Sequence, residues 1–149
     1  MKVILYLFIF ISLCQVKLTA KSRKGNINMK KPYSLSAEMT VENSSIYENA
    51  GLEIEFENKS EKTVKAFSIV FFVFNEDEGF LESESGNICL EVFCNLSAWN
   101  SIEDCISLDG FFSEVLEDAC QLDYLYVSRI IYTDGTFWED PSGRYAVYF

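Results

Sequence analysis

The chain has 149 residues, with 12 Lys and Arg against 23 Asp and Glu, a formal net charge of −11 and no His. So acidic a surface lacks the basic footprint that nucleic acid or an anionic membrane requires. The missing His closes the Ser-His-Asp and Cys-His catalytic arrangements and His-ligated zinc.

Residues 1–20 open with Lys2, run through apolar Val3 to Ile11 and end at Leu18-Thr19-Ala20, the pattern of a secretory signal peptide cleaved after Ala20. The apolar run stops at Val16, before Lys17, short of the roughly 20 residues that span a bilayer. A lipoprotein variant would acylate Cys14, but Leu13 stands where such signals carry a small residue. Cleavage removes Lys2 and Lys17 and no acid, so 10 bases face 23 acids and the mature net charge is −13. The expected location is exported: periplasmic, cell-surface or secreted, with no transmembrane segment after cleavage. The acidity reads first as a solvated surface and second as a preference for cationic partners or a divalent ion.

Residues 21–32, basic and with little to bury, read as a disordered lead-in to one domain over residues 33–149. Tyr33, Leu35, Ala37, Met39 and Val41 alternate with polar residues and predict a first strand. Residues 46–57 predict a second, with Leu52, Ile54 and Phe56 alternating with Glu53, Glu55 and Glu57 and a bulge expected at Gly51. Residues 63–75 are apolar on both phases, a strand buried on both sides, and the short polar link 58–62 predicts that it pairs with the second strand as a hairpin. The acidic turn at 76–79 lacks the ligand spacing of an EF-hand loop and reads as a hairpin tip.

Ile88 to Cys94 and Cys105 to Leu108 give the fourth and fifth strands, taken as antiparallel neighbours around the loop 95–102. Phe112, Val115, Leu116 and Ala119 have helical spacing, so a short helix or an irregular crossover is expected there. A central sixth strand spans residues 122–133, and Asp134-Gly135 predicts a two-residue hairpin into Thr136-Phe137-Trp138. Asp140-Pro141-Ser142-Gly143 breaks that strand, and Tyr145 to Phe149 supply an edge piece. Six to seven short strands and at most one helix predict an all-β antiparallel sandwich of immunoglobulin or fibronectin-III type, with an open barrel as the second reading.

If Cys14 leaves with the signal, Cys89, Cys94, Cys105 and Cys120 remain, an even count that suggests disulfides in an exported chain, with three possible connectivities and free buried thiols as the second reading. The strand reading places Cys89 and Cys105 on one face of neighbouring strands. That bridge would close a loop of about 15 residues and be worth roughly 3 kcal/mol, leaving Cys94 for Cys120. No Cys-x-x-Cys spacing suggests a metal site, and no cofactor is expected.

Residues 52–79 resemble the immunoglobulin-like FxLYD-type domains of bacterial exported proteins and lipoproteins. The likeness rests on an alternating strand ending in Asn58-x-Ser60, the run Val64-Lys65-Ala66-Phe67-Ser68-Ile69-Val70-Phe71-Phe72-Val73-Phe74, and an acidic turn ending at Gly79. Residues 127–136 look like the last hairpin of such a domain. The chain departs at Phe74-Asn75-Glu76-Asp77, where the family has an aliphatic strand followed by Tyr-Asp. The resemblance implies a sandwich at the cell surface or in the periplasm and implies no reaction.

Trp99, Trp138, Tyr124, Tyr126, Tyr132, Tyr145 and Phe137 are candidates either for a binding face or for the core. Trp99 stands apart, because a large ring in a loop needs a pocket or a partner. Asn43, Asn58 and Asn95 open Asn-x-Ser patterns and fall in predicted turns. The leading functional expectation is a non-enzymatic module contacting a protein or glycan at the cell envelope through Trp99. A structural accessory domain without a ligand is the second reading, and a carboxylate-based hydrolase the third.

Overall fold

Two kinds of strand pattern, alternating and doubly apolar, build the two layers. The computed structural model describes residues 30–41, 45–75, 79–80, 87–112 and 120–149. The expected signal segment 1–20, most of the expected lead-in, the turn 76–78 and the helical pattern beyond Phe112 lie outside the described residues.

The described strands are β1 (Tyr33–Thr40), β2 (Gly51–Asn58), β3 (Val64–Asn75), β4 (Gly79–Phe80), β5 (Ile88–Leu96), β6 (Ser101–Ser107), β7 (Cys120–Tyr132), β8 (Phe137–Glu139) and β9 (Val147–Tyr148), with no helix among the described residues. A three-stranded sheet runs β1-β2-β6. In the six-stranded sheet β3 lies between β7 on one side and β5 with β4 on the other, and β7 carries β8 and β9 on its far edge. All pairings are antiparallel, and the two sheets pack face to face as a β-sandwich. The order is immunoglobulin-like, with first, second and sixth strands in one layer and third, seventh and eighth in the other.

The layers meet through aromatic rings. Phe56 of β2 stacks on Phe67 of β3 at 4.0 Å between centroids and 8° between planes, and Tyr33 stacks on Phe56 and meets Trp138 edge-on at 5.4 Å. Around them Leu52, Ile69, Leu125, Val127 and Ile130 are fully buried. The Tyr33 hydroxyl accepts the Val127 N–H at 3.3 Å, and burial pushes its pKa up to about 12 against the pull of that bond.

The predicted β2–β3 hairpin does not form: β2 and β3 belong to different sheets. Their apolar sets bury more surface facing each other across the core than they would side by side in one layer. The link after Asn58 is therefore a crossover. β5 and β6 are likewise split, β5 beside β3 and β6 beside β2, joined by the tight turn 97–100 rather than by a longer loop.

That split removes the expected Cys89–Cys105 bridge, and no disulfide links Cys89, Cys94, Cys105 or Cys120. Cys89 lies opposite Val70 on the outer side of the larger sheet and Cys105 opposite Glu53 on the outer side of the smaller one, so the sandwich stands between them. The Cys94 thiol sits by the Val64 carbonyl at 3.8 Å, while Cys120 pairs with Asn75 at the other end of β3. Eleven residues of strand separate those ends by roughly 36 Å, against the 4.4 to about 7 Å between Cα atoms that a disulfide spans.

Gly51 begins β2 instead of interrupting it, in unbroken register with Thr40. Glycine is required because the Tyr47 ring occupies the space of a Cβ. The Asp134-Gly135 hairpin holds one residue more than expected. Tyr132 accepts the Gly135 N–H at 3.0 Å and donates to Thr136, and Gly135 alone in that loop takes positive φ, +79°. This is a type I turn closed by a left-handed glycine, and Asp134 stays right-handed.

Candidate functional site

The β1–β2 register pairs Tyr33 with Asn58, which brings the start of β1, the end of β2 and the β5–β6 turn to one end of the sandwich. Asn58 organises that end from inside. It is 1 % exposed, and its amide nitrogen donates to the carbonyls of Lys62 at 2.8 Å, Ser97 at 3.0 Å and Leu96 at 3.3 Å. Its side-chain oxygen accepts the Ser60 hydroxyl at 2.6 Å and the Ser60 N–H at 3.1 Å. A buried amide with every site used is a rigid joint. Asn58 is thus the last residue of a strand rather than a turn residue, and it has no nitrogen to offer for glycosylation. Asn95 is an exposed residue of β5, not of a turn, and Asn43 lies outside the described residues.

On this joint sits Trp99. Its N–H donates to the Asn58 carbonyl at 3.0 Å, and the Asn58 N–H donates to the Asn100 carbonyl at 2.9 Å. Trp99 has φ +63°, the only positive value of a non-glycine among the described residues, and its side chain is 63 % exposed. A left-handed backbone costs a bulky residue about 1–2 kcal/mol. The ring makes no aromatic contact among the described residues that would offset this cost.

Lysines surround this end. Lys59 donates its N–H to the Pro32 carbonyl at 2.8 Å, and its ammonium reaches Ser34 Oγ at 3.1 Å and Glu57 at 3.2 Å. The Lys31 ammonium lies 4.6 Å from the Tyr33 ring centroid, and burial, followed by the charge of Lys59, lowers its pKa. Lys62 pairs with Asp134 at 2.8 Å and lies 5.4 Å from the Tyr132 centroid. Pro32 is buried, so the segment nearest β1 is tied to the fold.

The other aromatic candidates divide. Trp138 and Tyr132 are buried in the core, and Tyr145 packs against Trp138 at 6.1 Å. Tyr124 and Tyr126 lie on the outer face of the larger sheet, where Tyr124 stacks with Phe72 at 6.0 Å and meets Tyr148 at 6.0 Å. Phe137 sits under the Arg129 guanidinium at 4.9 Å, half-buried. Among the described residues no ring contact joins these aromatics to Trp99.

The outer face of the smaller sheet is acidic. Glu38 lies opposite Glu53 and Glu55 opposite Glu103, beside a shallow cavity of about 450 Å³ that also includes Ser36, Asp104 and Cys105. These carboxylates are exposed on an open surface. No group of three or more Cys, Asp or Glu side chains is placed to hold a metal ion among the described residues.

Asn58 and the lysine ring were missed in the sequence. The sequence showed only the basic run ahead of the first strand; the register of Tyr33 with Asn58, which sets Lys31 near Lys59, comes from the structure.

No protein-family model matches the chain, and no curated protein matches it. It is similar to the X-ray structure of a hypothetical protein from Peptoclostridium difficile 630, with a TM-score of 0.52 and 10 % sequence identity over 76 % of this chain and 88 % of that one. The shared property is the fold.

Proposed function

We propose that this chain is an exported, non-enzymatic β-sandwich that works by contact with a protein or glycan at the cell envelope, with Trp99 as its contact residue. The relation to FxLYD-type domains belongs to the same proposal. The observation that carries it is the Trp99 ring, 63 % exposed on a backbone with φ +63°. A fold gains nothing from holding a large ring in water on a strained residue, whereas a binding surface does. Export is supported by the signal pattern of residues 1–20.

Trp99→Gly removes ring and strain together. The expected result is a melting temperature raised by about 3 °C, with loss of retention on envelope preparations from the host. A lowered melting temperature would make the ring a folding element and withdraw the observation on which the reading stands.

A further inference from the structure

The partner's chemistry can be read from the charges around Trp99. We propose that this end of the sandwich takes an acidic saccharide chain, the indole stacking on a sugar face while Lys31 and Lys59 meet its carboxylate or phosphate groups. This rests on the contact reading above and gives its partner a chemical class.

In a chain with a large excess of acid, four of the seven described cationic side chains, Lys30, Lys31, Lys59 and Lys62, lie at the Trp99 end. Neither Lys30 nor Lys31 has an ion-pair partner among the described residues, and the Lys59–Glu57 pair is half-exposed and readily exchanged. Burial and the nearby Lys59 charge both disfavour the charged form of Lys31, a condition that an incoming anion relieves. Hydrogen-bonding groups complete the surface: Asn100 and Ser101 are exposed beside the ring. Aromatic face, cations and polar side chains together fit a charged sugar.

A narrow polymer fits better than a bilayer. A flat anionic surface would confront Glu57, Glu61 and Asp134 at the same end and bring up the acidic sheet faces behind them. A single saccharide strand is narrow enough to meet Trp99, Lys59 and Lys31 with Glu57 as the one carboxylate paired to them among the described residues. The overall acidity disfavours broad anionic surfaces and leaves this local recognition open, because screening confines charge effects to about 8 Å at physiological salt.

The chain has two tryptophans, and Trp138 is 4 % exposed, so a change in indole emission on binding reports Trp99. The mature chain is titrated with polygalacturonate, with neutral dextran as control. Polygalacturonate is expected to shift the emission to shorter wavelength and dextran to leave it unchanged, with the response lost in about 1 M salt. Lys31→Glu combined with Lys59→Glu is expected to weaken binding at least about tenfold, and Arg144→Glu to leave it intact. Should the double Glu variant misfold, Lys31→Gln with Lys59→Gln removes the charges and keeps the stems.

No response to polygalacturonate or to heparin overturns the proposal, as does a response that survives both lysine changes. A response to phosphatidylglycerol vesicles but to neither polysaccharide assigns the surface to lipid and also overturns it. In each case the contact reading stands if Trp99→Gly still abolishes retention on envelope preparations, and it falls with the proposal if retention is unchanged.

Discussion

Asn58 and Trp99 are bonded backbone to backbone, and the Asn58 amide also holds the carbonyls of Leu96 and Ser97 that lead into the Trp99 turn. Replacing Asn58 by Ala leaves several buried donors and acceptors without partners. The expected loss is about 2–4 kcal/mol in urea unfolding. Asn58→Asp is expected to cost as much, since a carboxylate cannot donate to three carbonyls. A loss below about 0.5 kcal/mol would mean that water replaces the side chain and that the turn stands by itself.

The contact of Phe56 with Phe67 is the centre of the inter-sheet core. Phe67→Ala is expected to destabilise by about 3–5 kcal/mol. Phe93, 73 % exposed on β5, supplies the comparison, and its Ala variant is expected to stay within about 0.5 kcal/mol of the wild type. Similar losses at the two positions would contradict the assignment of inner and outer faces.

Acid sensitivity is expected from two loop carboxylates. Asp109 accepts the N–H groups of Glu48 at 2.7 Å, Asn49 at 2.9 Å and Ala50 at 3.2 Å, and the Ser107 hydroxyl at 2.9 Å. These donors, that of Glu48 foremost, hold its carboxyl near a pKa of about 2 instead of 3.8. Asp134 is lowered too, first by its bond from Lys62 and then by Thr136. A depressed folded pKa means that the stabilisation is present above the unfolded value of 3.8 and is lost as pH falls through the folded value. Melting curves from about pH 5 down to about pH 2 should fall steeply for the wild type and less steeply for Asp109→Asn. Parallel curves would remove Asp109 from the account.

Thiol chemistry tests the separation of the sheets. A chain beginning at Lys21, unfolded without reduction, is expected to label at Cys89, Cys94, Cys105 and Cys120. In the native state Cys89, exposed, should react first and Cys120, 6 % exposed, last. Cys105 should be slower than its position on an outer face suggests. Desolvation first, then the carboxylates of Glu53 and Asp104, raise its thiol pKa, and its rate should climb with pH. A Cys89–Cys105 bridge by peptide mapping would refute the sheet assignment.

Periodicity made most of the strands legible, because a period of two reports which face is buried. The alternation of Ile88, Leu90, Val92 and Cys94 against Cys89, Glu91 and Phe93 is the alternation observed. Periodicity carries no information about which strand lies beside which. The short link after Asn58 looked like a hairpin because length and polarity are shared by hairpins and crossovers, and the distinction rests on apolar faces that meet across the core. The disulfide expectation failed for the same reason, since it inherited a neighbour relation between β5 and β6. Trp99 was legible as an odd ring in a loop, while its left-handed backbone was not.

The pairing of β3 with β7 has a kinetic consequence. Its partners are 45 residues apart at Asn75 and Cys120 and 68 apart at Val64 and Tyr132. Closing such loops is entropically slow, so formation of the native state waits on a long search. Until β7 arrives, the most apolar strand of the chain has one bare edge, a template for other copies. Yield on refolding should therefore fall with protein concentration well before native stability becomes limiting.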